Sequence, residues 1–424
     1  VMMSRGAFEA NLTTFLLPLG IYLFLLGSKN AKYLILSAIV FGLNLFTYHS
    51  AKFVTPLVFT SLIFIFSKEI SGKKFIVPAS IFAAFLALTI YTFSLGAGSR
   101  ISDVSILKNS LGPAATERIF AGSQGVPDFL ARLMHNKFQV AGRQFIKNYM
   151  SYFSPHFLFS DGPSETTYGM IPGRGVLYWF ESIFLVGFVI YLLREKLSKE
   201  IKVIIIWLFI SPVPAALSIG PGFAANRAVI MVPAIQIISA LGGMYLFNSL
   251  KKVVGKRAFK HSLSLATLVV AGLFIFFLED YFVQSSRKAA QGMLYGNLEL
   301  AKIFSQGTYE NRSIIVGRSL SEPHIYIAFA NKTDPSVYQN ETKPWNYKQE
   351  GLKWVDQQPE YKLGKFLFKN IDWNSERHKS SILVGRPNEF PYELIPTYAI
   401  YYPDGTPSIY IVDPLEKIYA EKIN

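Results

Sequence analysis

The sequence predicts a polytopic α-helical membrane protein, with about eight transmembrane helices and a C-terminal extracytoplasmic α/β domain. Three observations carry that expectation. Only 17% of the 424 residues are charged, while 51% are hydrophobic and 15% aromatic, against about 25% charged in a soluble domain. Eight apolar runs approach the roughly 20 helical residues needed to cross a hydrocarbon core of about 30 Å. Lysine and arginine are abundant in every second interhelical loop and scarce in the others, the pattern that orients membrane helices.

The apolar runs fall at about 12–27, 33–48, 53–67, 75–95, 175–193, 202–219, 228–248 and 262–279. Pro18, Pro78, Pro212, Pro214 and Pro233 lie within or beside them. Proline is tolerated in a membrane helix when neighbouring helices satisfy the freed carbonyls. One set of loops carries Lys29, Lys32, Lys68, Lys73, Lys74, Arg194, Lys196, Lys199, Lys202, Lys251, Lys252, Lys256, Arg257 and Lys260. The opposite short loops carry Lys52 and Arg227. Fourteen against two puts the rich set in the cytoplasm. The N-terminus, a long loop at 96–174 and the tail are then external, which predicts a multi-pass protein of the cell membrane. Its domains are a transmembrane region, 1–283, and a soluble extracytoplasmic region, 284–424.

Within the long loop, residues 128–151 place Phe129, Leu130, Leu133, Met134, Phe138, Val140, Phe145, Ile146 and Tyr149 at roughly helical spacing, with Arg132, Lys137, Arg143 and Lys147 beside them. A helix lying in the membrane interface has this pattern, and so does a helix packed on the protein's own surface. In the tail, a polar helix is predicted at about 286–305 and strands at 313–316, 324–329, 381–384, 397–402 and 408–412, from their Val, Ile and Tyr content. An Ile/Leu-Val-Gly-Arg tetrad occurs at 315–318 and again at 383–386; a strand ending in a glycine turn explains both.

The net charge of +14 does not indicate nucleic acid as a partner. Residues 285–424 hold 17 Lys/Arg against 16 Asp/Glu, so the excess lies among the apolar runs. With no cysteine in the chain, disulfides, thiolate metal sites and cysteine nucleophiles are excluded. Walker A, dinucleotide-binding, zincin and nucleophile-elbow motifs are also absent. The residues left for chemistry are charged groups at the outer ends of the runs, where ionisable side chains are costly and mark sites. Arg5 and Glu9 share a helix face at four-residue spacing and either pair or anchor the chain at the interface. His49 and Lys52 lie at the turn between the second and third runs, as a site or as a solvated turn. Arg227 opens the seventh run, facing an anion or snorkelling. One carboxylate and several cations suit a lipid-linked phosphate.

Several segments resemble the bacterial GT-C superfamily of membrane glycosyltransferases, in its protein-O-mannosyltransferase-like group. They are SRGAFEANL around Glu9, TYHSAKFVTP around Lys52, PHFLFSDG, GRGVLYWFESIFLVG, WLFISPVPAALS, NRAVIMVPAIQIISALGG from Asn226, and PHIYIAFANKTDPSVYQ in the tail. The resemblance implies a GT-C-like fold and an inverting transfer of a sugar from a polyprenyl-phosphate donor to an acceptor outside the membrane, where protein, lipid and glycan are all open. It implies Glu9 as the second acidic position of the site and Arg227 as an arginine before a late helix, with Lys52 where arginine is usual; Arg5 and His49 are the other charged groups at the outer loop ends that suit the phosphate. No cofactor is certain, and Glu9 is the side chain that would hold a divalent metal. The first external loop of that family, with its principal base, has no counterpart here, and the resemblance implies a fragment beginning at the outer end of the third helix. A transporter or flippase for a lipid-linked glycan is the alternative.

Overall fold

The computed structural model describes residues 9–27, 30–70, 72–97, 104–165, 171, 173–220, 222–307, 309–347, 349–352 and 354–416. The chain divides into two compact units, Val1–Leu278 and Glu279–Asn424.

The first unit is helical. A 3-10 turn, Glu9–Leu12, leads into α1 (Thr13–Gly27), followed by α2 (Ala31–Asn44), α3 (His49–Phe66) and α4 (Gly72–Thr92). The long loop folds into α5 (Leu111–Ser123), α6 (Asp128–Met134) and α7 (Lys137–Ser151). Then come α8 (Glu181–Arg194), α9 (Lys199–Ile210), α10 (Ala234–Val253) and α11 (Lys256–Glu279). Five stretches are long and apolar enough to cross a membrane: Glu9–Gly27, His49–Phe66, Lys74–Leu95, Val229–Val253 and Arg257–Lys288. They mark the chain as a membrane protein. The other three predicted runs hold the shorter α2, α8 and α9, of 14, 14 and 12 residues, or about 18–21 Å at 1.5 Å per residue.

Close approach of these helices depends on glycine, because lipid supplies no hydrophobic drive and dispersion contacts must do the work. A Cβ at Gly20 would lie 2.8 Å from the Phe41 ring of α2, and one at Gly187 would lie 2.5 Å from Leu246 of α10. Polar side chains add interhelical bonds: Ser37 Oγ donates to Gly20 O at 2.7 Å, and Asn44 Nδ2 to Thr55 Oγ1 at 2.8 Å.

The predicted amphipathic helix at 128–151 is two helices. Asn136 separates them, its Oδ1 accepting from the N–H groups of Phe138 and Gln139 as the N-cap of α7. One face of α7 does pack on the protein: Asn148 Nδ2 donates to Ala216 O at 3.1 Å and Tyr149 Oη to Phe209 O at 2.9 Å. Phe138, Ile146 and Met150 on a second face stay exposed.

The second unit is a six-stranded sheet with helices α12 (Asn297–Ser305), α13 (Pro323–Ala330) and α14 (Pro335–Thr342). Its strands are β1 (Ile314–Val316), β2 (Glu360–Leu363), β3 (Phe366–Lys369), β4 (Ile382–Gly385), β5 (Tyr398–Tyr401) and β6 (Pro407–Val412), in the order β2-β3-β1-β4-β6-β5. The central β3, β1 and β4 are parallel, with Ile314 opposite both Phe366 and Ile382. Ile314, Val316, Ile382 and Val384 pack with Leu300 and Phe304 of α12, while Ile315, Leu383 and Val412 pack with Phe390 in a second cluster. Burial on both faces accounts for the unbroken apolar runs of β1 and β4.

The repeated tetrads are the ends of β1 and β4, side by side and in register, Ile315 opposite Leu383. A Cβ at Gly317 or Gly385 would lie 2.8 or 2.6 Å from the Glu389 carboxylate, so the two glycines leave room for that side chain beside the strand ends. Two tail expectations are corrected. The segment 324–329 is helix α13, not a strand: Pro323 fills its first turn, and Pro323, His324 and Ile327 bury one helical face. The polar helix at 286–305 is broken into Ser285–Lys288 and α12, with Leu294 (φ 54°) and Gly296 (φ 96°) turning the chain between. The β2–β3 hairpin, joined through Gly364 (φ 55°), was not predicted.

Candidate functional site

The first unit contains a cleft of about 850 Å³. Its walls are Asn11 and Thr14 at the entry to α1, residues 157–163, residues 173–181 before α8, residues 225–236 before and in α10, and Val269, Leu273 and Phe277 of α11. Two 3-10 turns, Gly222–Arg227 and Val229–Met231, precede α10 in place of regular helix. Such backbone is tolerated in a membrane protein only where it packs in protein or lines a cavity. Both conditions are met: Trp207 Nε1 donates to Ile230 O at 2.8 Å from a buried position, and Ala225, Ala228 and Val229 line the cleft.

The opposite wall rests on two glycines. A Cβ at Gly175 would lie 2.5 Å from Leu158 O, and one at Gly162 would lie 2.6 Å from Arg174 O. The two segments therefore meet backbone to backbone, and Leu177 N–H donates to Leu158 O at 2.8 Å. Aromatic rings stiffen this wall, with Phe159 stacked on Trp179 at 5.2 Å and Tyr178 on Phe180 at 5.7 Å.

Few polar groups enter the cleft. Arg174 supplies a cation and Glu181 a carboxylate. Glu181 ties α8 to α10: its Oε1 accepts from Ser239 Oγ at 2.8 Å, and its Oε2 accepts from Tyr178 N–H at 2.8 Å. Asn11 Nδ2 and Gln236 Oε1 are buried and have no hydrogen-bond partner. A buried polar atom without a partner costs about 1–3 kcal/mol, and one donor and one acceptor of this kind line the same cleft. Apolar walls with a few convergent polar groups are the usual make-up of a small-molecule site.

The residues singled out in the sequence fall around this cleft rather than in it. Arg5 lies outside the described residues. Glu9 is exposed in the 3-10 turn, two residues before Asn11. His49 opens α3. Its neighbour Tyr48 accepts from Asn226 Nδ2 at 2.8 Å, which joins the α2–α3 turn to the turn before Arg227. Lys52 Nζ sits 4.8 Å from the centre of the Phe93 ring. Arg227 Nη1 donates to Ser218 Oγ and Ile219 O, both at 3.2 Å. Among the described residues no group of three or more His, Asp or Glu side chains could hold a metal ion. Sequence reasoning passed over Asn11, Arg174, Glu181 and Gln236 as site residues. The available signal was a lone carboxylate heading an apolar run at Glu181 and a lone amide inside one at Gln236.

No protein-family model, curated protein or solved structure matches the chain.

Proposed function

We propose that the chain is a membrane glycosyltransferase that moves a sugar from a polyprenyl-phosphate donor to an acceptor on the extracytoplasmic side, and that the cleft is the donor site. The observation that carries this reading is the pairing, in one apolar cleft, of a cation with two unsatisfied buried amide groups. The apolar wall from α11 suits an isoprenoid chain, Arg174 suits its phosphate, and Asn11 and Gln236 suit sugar hydroxyls, which both donate and accept. The resemblance of the surrounding segments to GT-C glycosyltransferases supplies the sugar.

In this reading eight helices cross the membrane alternately, in a GT-C-like arrangement. The starts of α1, α8 and α10 and the end of α11 then lie on one side, where the scarcity of lysine and arginine places the outside. The short α9 is continued by the helical turn Val213–Ala216. In the transfer, the acceptor oxygen bonds to the sugar carbon as that carbon's bond to the phosphate oxygen breaks. The hydroxyl proton passes to a carboxylate and the polyprenyl phosphate leaves. Both oxygens of Glu181 already accept hydrogen bonds, so it positions α8 against α10. The proton role is assigned to Glu9, with His49, Lys52, Arg227 and Arg5 as the surrounding charges. A divalent metal, if used, would take Glu9 as a ligand.

The test is transfer from a panel of polyprenyl-phosphate hexoses by the membrane-reconstituted chain and its Glu9→Gln variant. Product formation that Glu9→Gln abolishes is expected; unchanged turnover would remove Glu9 from the site. Movement of the lipid-linked sugar across the bilayer without a transfer product would favour the transporter reading instead.

A further inference from the structure

The long loop carries a surface that the proposed transfer does not use. On α5, α6 and α7 the side chains of Ile119, Phe120, Phe129, Leu133, Phe138 and Ile146 are between 57% and 75% exposed. They are six large apolar side chains on three adjoining helices, and grouped exposed apolar residues mark an interaction surface. These helices are held together by Glu117 of α5, whose Oε2 meets His135 Nδ1 at 2.9 Å and Arg143 Nη2 of α7 at 2.5 Å. Hydrogen bonds from Asn148 and Tyr149 to Ala216 and Phe209 fix α7 to the end of α9. The patch is therefore built on anchored helices.

Charge identifies what covers it. Residues 111–151, which hold α5–α7, carry five Lys/Arg (118, 132, 137, 143, 147) and two Asp/Glu (117, 128), a net of +3 without His. Both carboxylates are already shared with arginines, Glu117 with Arg143 and Asp128 with Arg132 at 2.8 Å. Arg118, Lys137 and Lys147 remain as excess positive charge beside the rings. Apolar side chains flanked by uncompensated cations fit a bilayer surface bearing anionic headgroups, with the rings among the upper acyl chains and the ammonium groups at the phosphates. A protein partner favours a surface depleted of lysine. We propose that α5–α7 dock as an in-plane platform on an anionic lipid surface.

The absence of native cysteine permits a direct test on the whole chain. Nitroxide labels are placed singly by Ile119→Cys, Phe129→Cys, Phe138→Cys and Lys147→Cys, each at a surface position. Each variant is reconstituted in phosphatidylglycerol or phosphatidylcholine vesicles. In phosphatidylglycerol, labels at 119, 129 and 138 should collide with oxygen several-fold more than with a water-soluble nickel complex, and the label at 147 should show the reverse. The preference at 129 and 138 should fall at least twofold in phosphatidylcholine. Free access of the nickel complex to all four positions would overturn the proposal. Exclusion of both reagents, the sign of a covering protein or second copy, would overturn it too, as would a lipid preference indifferent to headgroup charge.

Discussion

Replacing Gly242 with alanine tests the packing that builds the cleft. A Cβ at Gly242 would lie 2.6 Å from Phe188 N and closer still to Phe184 O, both on the backbone of α8. Ordinary contact needs about 3.4 Å or more, so α8 and α10 must part by roughly 1.5 Å at the closer contact. Overpacking of this kind costs about 1–3 kcal/mol. The same displacement stretches the 2.8 Å bond from Ser239 to Glu181 past hydrogen-bonding range, which costs about 1 kcal/mol more. The expected total is about 2–4 kcal/mol, or a fall in Tm of roughly 5–12 °C for a unit of this size. Thermal unfolding in detergent, followed by circular dichroism, reads the change. Gly272→Ala on α11 is the control, because a Cβ there meets nothing within 4 Å. It should leave Tm unchanged or raise it through better helix propensity. Equal melting of the two variants would refute the close approach of α8 and α10, and with it the account of how Glu181 and Gln236 come to face one cleft.

The tail should lose stability in acid through His324. Burial pushes this imidazole down to about 4, only partly opposed by the Asp356 charge. The unfolded chain binds the proton near pH 6.5, so the stability lost grows as pH falls from 6.5 towards 4, reaching about 3 kcal/mol. Fluorescence of Trp345, whose ring lies 4.9 Å from that of His324, follows the transition, and His324→Phe should flatten its pH dependence. Arg312 grips the nearly buried Asp413 through two bonds of 3.0 Å. Arg312→Gln should destabilise the tail by about 2–4 kcal/mol, measured as faster proteolysis there with the first unit intact. Trp345 Nε1 donates to Lys362 O and Gly364 N–H to Glu341, covering the free edge of β2. Trp345→Ala uncovers that edge and should raise the rate of aggregation, followed by light scattering.

The membrane helices were legible because hydropathy is a sum over neighbours in sequence, and the prolines at 18 and 78 did not interrupt it. Their lengths were less legible: α8 begins only after a turn at Trp179 and Phe180, which hydropathy reads as part of the same run. In the tail, YKLGKFLFK alternates Tyr361, Leu363, Phe366 and Phe368 inward about Gly364, a hairpin signal that was present and missed. PHIYIAFA is a short apolar run that fits strand and helix alike, and the choice is made by Pro323 and by packing against α12. The cleft was illegible for a different reason. Asn11, Arg174, Glu181 and Gln236 are spread over more than 220 positions, and backbone contacts at Gly162, Gly175, Gly187 and Gly242 bring their segments together. Charge drew attention to Glu9, Lys52 and Arg227 instead, although Glu9 is exposed while Asn11 and Gln236 each bury an amide atom without a hydrogen-bond partner.

Occupancy of the cleft by a polyprenyl phosphate is the central claim, and binding can be measured without any chemistry taking place. A polyprenyl phosphate carrying a photoreactive diazirine is irradiated with the reconstituted chain, and the labelled peptides are sequenced. Labelling should concentrate in residues 157–163, 173–181, 225–236 and 269–277, and should be displaced by unlabelled polyprenyl phosphate but not by a neutral polyprenol. Gln236→Trp, which replaces a cleft-lining amide with a bulky indole, should sharply reduce it. Label spread evenly over exposed lipid-facing helices such as α4, or unaffected by either competitor or by Gln236→Trp, would contradict the account.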